Sequence, residues 1–322
     1  MENIAKLIGD DLQRLEESID KLLTTRVSFI REVVHHIIKS GGKRIRPILV
    51  ILSAKMSGCA DYRHIPYAAI VEFIHTATLL HDDVVDNAKT RRGSPTANTL
   101  WGNEPSVLVG DFLFSKSFDL MVSDQNSAVL AVMSRVTTAL AEGEIMELLK
   151  TSDVETTEDD YYEIIANKTA VLLSAACEVG AILGGVDQDK RKALNRFGYH
   201  FGMAFQLTDD VLDYVSKGTT LGKDAGSDLK EGKITLPLIH ALKSATPEER
   251  TVVTDSINKP RMTQKDYRKI LNMIKRRGGI EYTVQASKNH AEQAMSFLNA
   301  FPPSPYRDAM TGLAQYVTKR ET

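Results

Sequence analysis

Residues 70–86 read Ile70-Val71-Glu72-Phe73-Ile74-His75-Thr76-Ala77-Thr78-Leu79-Leu80-His81-Asp82-Asp83-Val84-Val85-Asp86. Apolar side chains at Ile70, Phe73, Ile74, Ala77 and Val84 recur at helical spacing, so the stretch is expected to be a helix that ends in carboxylates. On a helix, positions i and i+4 lie about 40° apart, whereas i+1 is swung away by about 100°. Asp82 and Asp86 therefore share a stripe. The same three-aspartate pattern returns 127 positions on (209 − 82) as Asp209-Asp210-Val211-Leu212-Asp213, inside a second helical pattern carried by Phe197, Phe201, Ala204, Phe205 and Val211. Carboxylates crowded together in apolar company repel one another and lose hydration. Hard cations that bridge them remove both penalties, and an all-oxygen donor set suits Mg²⁺ better than Zn²⁺.

The rest of the chain fits helices joined by short loops. Leu12, Leu15, Ile19 and Leu22 mark one amphipathic segment and Val129, Met133, Val136, Leu140 and Ile145 another, and no convincing period-two run suggests a strand. Breaks are expected at Gly41-Gly42, Gly93 to Pro95, Gly102 to Pro105, Asp153 to Thr157, Gly184-Gly185, Lys217 to Gly232 and Asn258 to Pro260. The expected fold is all-α, ten or more helices bundled around a central cleft. With no composition shift between the halves, residues 1–322 are expected to form one domain. A length of 322 residues with 43% hydrophobic content is ample for a large core, and a formal charge of −2 leaves no footprint for nucleic acid. Cys59 and Cys177 lack metal-ligand spacing and a disulfide framework, which points to a reducing, cytoplasmic setting. Neither a signal peptide nor a transmembrane segment is expected.

Basic cassettes complement the acidic ones. Gly41-Gly42-Lys43-Arg44-Ile45-Arg46-Pro47 has glycines to end one helix and a proline suited to the first turn of the next. Lys43 and Arg46 then lie near a helix N-terminus, where free N–H groups favour anions. Arg91-Arg92-Gly93 follows the first acidic cassette; Lys223 to Ser227, with Gly232-Lys233 further on, follows the second. Carboxylates cannot hold a diphosphate directly, but a cation can bridge them to it, while Lys and Arg neutralise its outer oxygens. No Walker loop, dinucleotide fingerprint or nucleophile elbow is present. The chemistry indicated is departure of diphosphate from carbon without a nucleophilic side chain.

From Gly41-Gly42-Lys43 through the two aspartate cassettes, Lys168-Thr169 and Phe205-Gln206 to Lys223 and Lys233, the chain resembles the trans-isoprenyl diphosphate (polyprenyl) synthases, most closely their long-chain members. The resemblance implies an isoprenoid-synthase-type helical bundle. It also implies Mg²⁺-dependent, head-to-tail condensation of isopentenyl diphosphate with an allylic diphosphate, giving a long all-trans product for a quinone side chain. It makes Asp82, Asp86 and Asp209 the leading metal ligands, supported by Asp83, Asp210 and Asp213. Lys43, Arg46, His75 and Arg92 become the isopentenyl diphosphate site. Arg91, Lys168, Lys223 and Lys233 grip the allylic diphosphate, while Thr169 and Gln206 attend the transient cation. A homodimer is implied by the same analogy.

Product length is expected to be set on the first acidic helix. Thr78 lies one turn before Asp82 with Ala77 beside it, so the wall below the diphosphate is small and open to a growing tail. Met121 and Met133 are candidate floor residues further in. Two other enzymes share parts of this pattern: the catalytic large subunit of a two-component synthase, and a class I terpene cyclase, whose second motif is of Asn/Ser/Glu type.

Overall fold

A helix that is apolar on every face must be buried on every face, and the central helices of the computed structural model follow that rule. Residues 2–215, 226–259 and 262–319 are described. In chain order the helices are α1 (Glu2–Leu7), α2 (Gly9–Leu22), α3 (Ser28–Lys39), α4 (Ile45–Met56), α5 (His64–Val85) and α6 (Ala97–Trp101). They continue with α7 (Asn103–Asp124), α8 (Ser127–Lys150), α9 (Glu158–Ile165), α10 (Val171–Gly184) and α11 (Gln188–Val215). The last six are α12 (Ser227–Lys230), α13 (Leu236–Lys243), α14 (Pro247–Ile257), α15 (Gln264–Arg276), α16 (Gly279–Phe297) and α17 (Pro305–Lys319). Among the described residues, strand is confined to a hairpin of β1 (Thr90–Arg91) and β2 (Ser94–Pro95). The all-α expectation holds.

The expected breaks are largely where glycine or capping chemistry demands them. Gly41 (φ +90°) and Gly185 (φ +69°) follow α3 and α10 in the left-handed region that glycine enters at little cost. Between α6 and α7 the break narrows to Gly102 alone (φ +96°), and Pro105 sits inside the first turn of α7. Thr157 with Asp160, and Thr246 with Glu249, form reciprocal capping boxes that start α9 and α14. Most of the break expected at Lys217 to Gly232 lies outside the described residues.

The chain divides into two compact units. The first comprises Met1–Thr137, Leu172–Gly198 and Phe297–Leu313; the second comprises Thr138–Val171, Tyr199–Ser296 and Ala314–Thr322. In the first, α5 packs against α2, α4 and α7 and is buried along most of its length from His64 to Leu80. Gly180 of α10 admits close packing on α4: a Cβ there would sit 2.5 Å from the Ser53 Cβ. In the second unit the core gathers Tyr161, Ile165, Met203, Leu207, Tyr214 and Leu236 with the inner faces of α13 and α15. The run Glu158–Gly184 is long and apolar enough to cross a membrane, but most of it is buried within the protein. Both cysteines are free and buried.

Candidate active site

In the first unit, α5 carries a cationic seat and an acidic end on one helix. The loop between α3 and α4 leaves Lys43 exposed and puts Arg46 at the second position of α4. An Nη1 of Arg46 lies 3.1 Å from His75 Nε2. Burial, and then the positive charges of Arg46, Arg91, Arg92 and Arg44, hold the His75 pKa well below its ordinary value. The imidazole is therefore neutral, and its Nε2 accepts from Arg46. The Arg92-Gly93 pair has positive φ at both residues (+52° and +79°), the signature of a tight two-residue hairpin turn joining β1 to β2. Gly42 lets the two basic loops touch: a Cβ on it would lie 2.6 Å from Arg92 Nη1.

The three aspartates of the first cassette play different parts. Asp83 is buried and takes Nε and Nη2 of Arg91 on one oxygen, at 2.9 and 2.8 Å. Asp82 and Asp86 are partly accessible, with Asp86 capping the end of α5. A Cβ on Gly110 of α7 would overlap the His81 ring, so the glycine makes room for the residue that precedes Asp82. Ala77 is fully buried, and Thr78 ties its hydroxyl to the His75 carbonyl at 2.8 Å. Met121 and Met133 are likewise buried.

In the second unit the helical run from α9 to α10 loosens into a π turn over Ala166–Ala170. Such widened turns expose or redirect side chains, and this one carries Lys168 and Thr169. Gly143 of α8 makes the approach possible, since a Cβ there would sit 2.7 Å from the Lys168 backbone nitrogen. The turn of α8 that follows supplies Glu144 and Glu147, whose carboxylates take the Lys168 ammonium at 2.7 and 2.5 Å. Thr169 donates to Gln206 Oε1 at 2.8 Å, and Gln206 Nε2 donates in turn to Asp210 Oδ1 at 2.7 Å. Tyr161 completes the chain by donating to Asp210 Oδ2 at 2.6 Å.

The second cassette divides as the first does, by different means. Asp210 is buried, and burial pushes its carboxyl up to about 7 against the lowering effect of the Tyr161 and Gln206 bonds; the charges of Asp209 and Glu147 raise it further. Asp213 accepts from the Ser227 and Asp228 backbone N–H groups and the Ser227 hydroxyl at 2.8 to 3.2 Å, so it caps α12. Asp209 is partly accessible. Lys233 pairs with Glu231 at 3.0 Å, and Lys223 lies outside the described residues. Among the described residues no three carboxylate, imidazole or thiolate groups converge as a preformed metal cage.

Sequence reasoning missed the residues that hold the site in shape: Arg44, Glu72, Glu144, Glu147 and Tyr161. Arg44 starts α4 with φ +49° and ψ +34°, a left-handed conformation that costs a non-glycine residue about 1–2 kcal/mol. Its guanidinium donates to Glu72 Oε1 at 2.6 Å, to the Ile38 carbonyl at 3.1 Å and to Glu16 Oε1 at 3.3 Å. The Glu72 carboxylate is buried, and removing one partner of such a pair costs about 3–5 kcal/mol.

The sequence profile of the polyprenyl synthetase family matches residues 27–274. Octaprenyl diphosphate synthase of Escherichia coli strain K12 is 40% identical over 100% of this chain and 99% of its own length. Heptaprenyl diphosphate synthase component 2 of Bacillus subtilis strain 168 is 33% identical over 98% of this chain and 89% of its own. The crystal structure of a polyprenyl synthase from Caulobacter crescentus CB15, complexed with calcium and isoprenyl diphosphate, superposes with a TM-score of 0.95 at 39% identity, covering 100% of this chain and 98% of that one.

Proposed function

Because the chain belongs to the polyprenyl synthetase family, we propose that it extends an allylic diphosphate with isopentenyl diphosphate, head to tail, to a long all-trans polyprenyl diphosphate. It is a prenyltransferase, and three of its relatives are named for heptaprenyl, octaprenyl and nonaprenyl products, while another, 35% identical, is named a short-chain synthase. The observation that carries the assignment of the site is the meeting of Arg46 with a neutral His75, and of Arg92 with the Gly42 loop, beside the helix that ends in Asp82 and Asp86. This is a seat for a multiply charged anion beside hard oxygen donors.

Lys43, Arg46, His75 and Arg92 hold isopentenyl diphosphate and orient its double bond. Arg91, Lys168, Lys223 and Lys233 take the allylic diphosphate. Asp82, Asp86 and Asp209, none of them fully buried, would supply the oxygen ligands of a divalent cation, with Asp83, Asp210 and Asp213 in support. The cation held there, for which we propose Mg²⁺, would supply charge neutralisation to a leaving diphosphate. The bond from the allylic carbon to oxygen breaks, the isopentenyl double bond attacks that carbon, and the released diphosphate takes the proton that restores an alkene. Thr169 and Gln206 would line the reaction centre and stabilise the transient positive charge. Preorganised dipoles and positioning supply the rate enhancement.

Residues 1–322 act as one catalytic domain. All five boundaries between its compact units fall inside helices, α8, α10, α11, α16 and α17, rather than in linkers. The exposed apolar side chains Leu108 and Val122 on α7, and Ile145, Leu148 and Leu149 on α8, support a homodimer. The likeness to a component of a two-part heptaprenyl synthase keeps a second reading, a catalytic subunit that requires a small partner. Cytoplasmic location and use of the product in a quinone side chain complete the proposal. Purified protein incubated alone with labelled isopentenyl diphosphate, an allylic starter and Mg²⁺ should yield a long-chain ladder that a chelator abolishes. Activity resistant to chelation counts against the metal assignment, and activity that appears only with a second subunit favours the two-part reading.

A further inference from the structure

The basic cassette Lys43-Arg44-Ile45-Arg46 holds cations of two kinds. Arg46 meets a neutral imidazole and Lys43 is exposed. Arg44 is bound at once to α2 through Glu16, to the end of α3 through the Ile38 carbonyl, and to α5 through Glu72. Its side chain is 18% exposed and that of Glu72 is 8% exposed. Glu72 and His75 stand at i and i+3 on α5, so they occupy one face. Their partners Arg44 and Arg46 stand two residues apart at the start of α4. Two polar rungs thus join α5 to the cassette. The outer rung ends at the one residue of the cassette with a left-handed backbone, a conformation that fixes the direction in which the chain enters α4.

We propose that Arg44 is a positioning residue for isopentenyl diphosphate, acting through its ion pair with Glu72 rather than by contact with substrate. The pair holds the turn that presents Lys43 and Arg46, and it keeps Arg46 in register with His75. This rests on the assignment of isopentenyl diphosphate to Lys43, Arg46, His75 and Arg92. Lysine in place of Arg44 retains the charge but cannot fork to Glu72, Glu16 and the Ile38 carbonyl together. The seat would loosen without losing a cation of its own.

The test is steady-state kinetics and thermal melting of the full chain with Arg44→Lys, Glu72→Gln, their combination, and Arg46→Lys as a control. Displacing a binding group by a fraction of an ångström shifts KM for isopentenyl diphosphate by about tenfold, while kcat and KM for the allylic starter stay within about twofold. Arg44→Lys and Glu72→Gln should each show this pattern. Their combination should be no worse than either alone, because both remove one interaction. Inorganic diphosphate should also protect both single variants from melting less than it protects the parent protein. An unchanged KM for isopentenyl diphosphate in Arg44→Lys, even with a lowered melting temperature, overturns the proposal, as does an equal rise in both KM values. If Glu72→Gln fails to fold, Arg44→Lys and Arg44→Gln decide the matter by the same criteria. An unchanged KM in Arg46→Lys would instead overturn the assignment of the seat itself.

Discussion

Tyr161 donates its phenolic hydroxyl to Asp210 Oδ2 over 2.6 Å in a fully buried setting. The middle carboxylate of the second acidic cassette is therefore shielded by a neutral donor, where Asp83, its counterpart in the first, is matched by the Arg91 guanidinium. Equivalent letters in the two cassettes have different partners.

Stability of the metal-free protein should fall with rising pH on account of Asp210. Its carboxyl titrates at about 7 in the folded chain, against about 3.9 when unfolded. Below the lower value both states hold the proton; between the two values only the folded state does; above the upper one the full penalty applies. Asp210→Asn removes that penalty, raising stability at pH 8 by roughly 2–4 kcal/mol and at pH 5 by less than half as much. Denaturant titrations of both proteins in chelator check this. An equal gain at the two pH values would rule out the titration as its source.

Asp82→Ala and Asp209→Ala should each lower kcat/KM by at least about a hundredfold, the scale of losing a share in a several-kcal/mol metal clamp. Excess Mg²⁺ should rescue neither fully. Near-normal turnover in either variant would remove that residue from the clamp.

Ala77→Tyr should shorten the main product. Ala77 is fully buried on α5, so an aromatic ring there must displace neighbours or fill adjoining space. Sizing the polyprenyl products of parent and variant settles the point, and an unchanged ladder would place the ceiling elsewhere.

Gly143→Ala should cost about 1–3 kcal/mol of stability, the range for overpacking. The added methyl would press on the backbone of the π turn at Lys168, 2.7 Å away. The loss of activity should exceed what the unfolded fraction explains, because Lys168 and Thr169 ride on that turn. Denaturant midpoints and specific activity, measured together, test both statements.

The legible parts of this protein were local. Helical spacing around Asp82 and Asp209, the glycine break at Gly41 and the proline in the first turn of α4 all depend on residues within a turn or two of one another. The hairpin turn at Arg92-Gly93 left a weak trace, since arginine is an unusual occupant of its first position. The π turn left none. Asn, Lys and Thr fit an ordinary helix equally well, and the neighbour that the wider turn packs against, α8 at Gly143, is distant in sequence. The supporting carboxylates were invisible for the same reason: Glu72 lies 28 residues from Arg44, and Asp210 lies 49 from Tyr161. Such pairs are products of tertiary packing and have no periodicity to betray them.

Helix α5 behaves as a reading frame. Glu72 and His75 meet the cationic loop, and on the proposed reading Ala77 and Thr78 would meet the growing tail and Asp82 and Asp86 the metal, all by angle and height along one axis. Removing a single residue between His75 and Asp82 would rotate the acidic end by about 100° and draw it in by about 1.5 Å, breaking every one of these addresses together. If the proposed assignments hold, product length can change through the size of a side chain, whereas the spacing between the diphosphate seat and the aspartates cannot change without turning one away from the other.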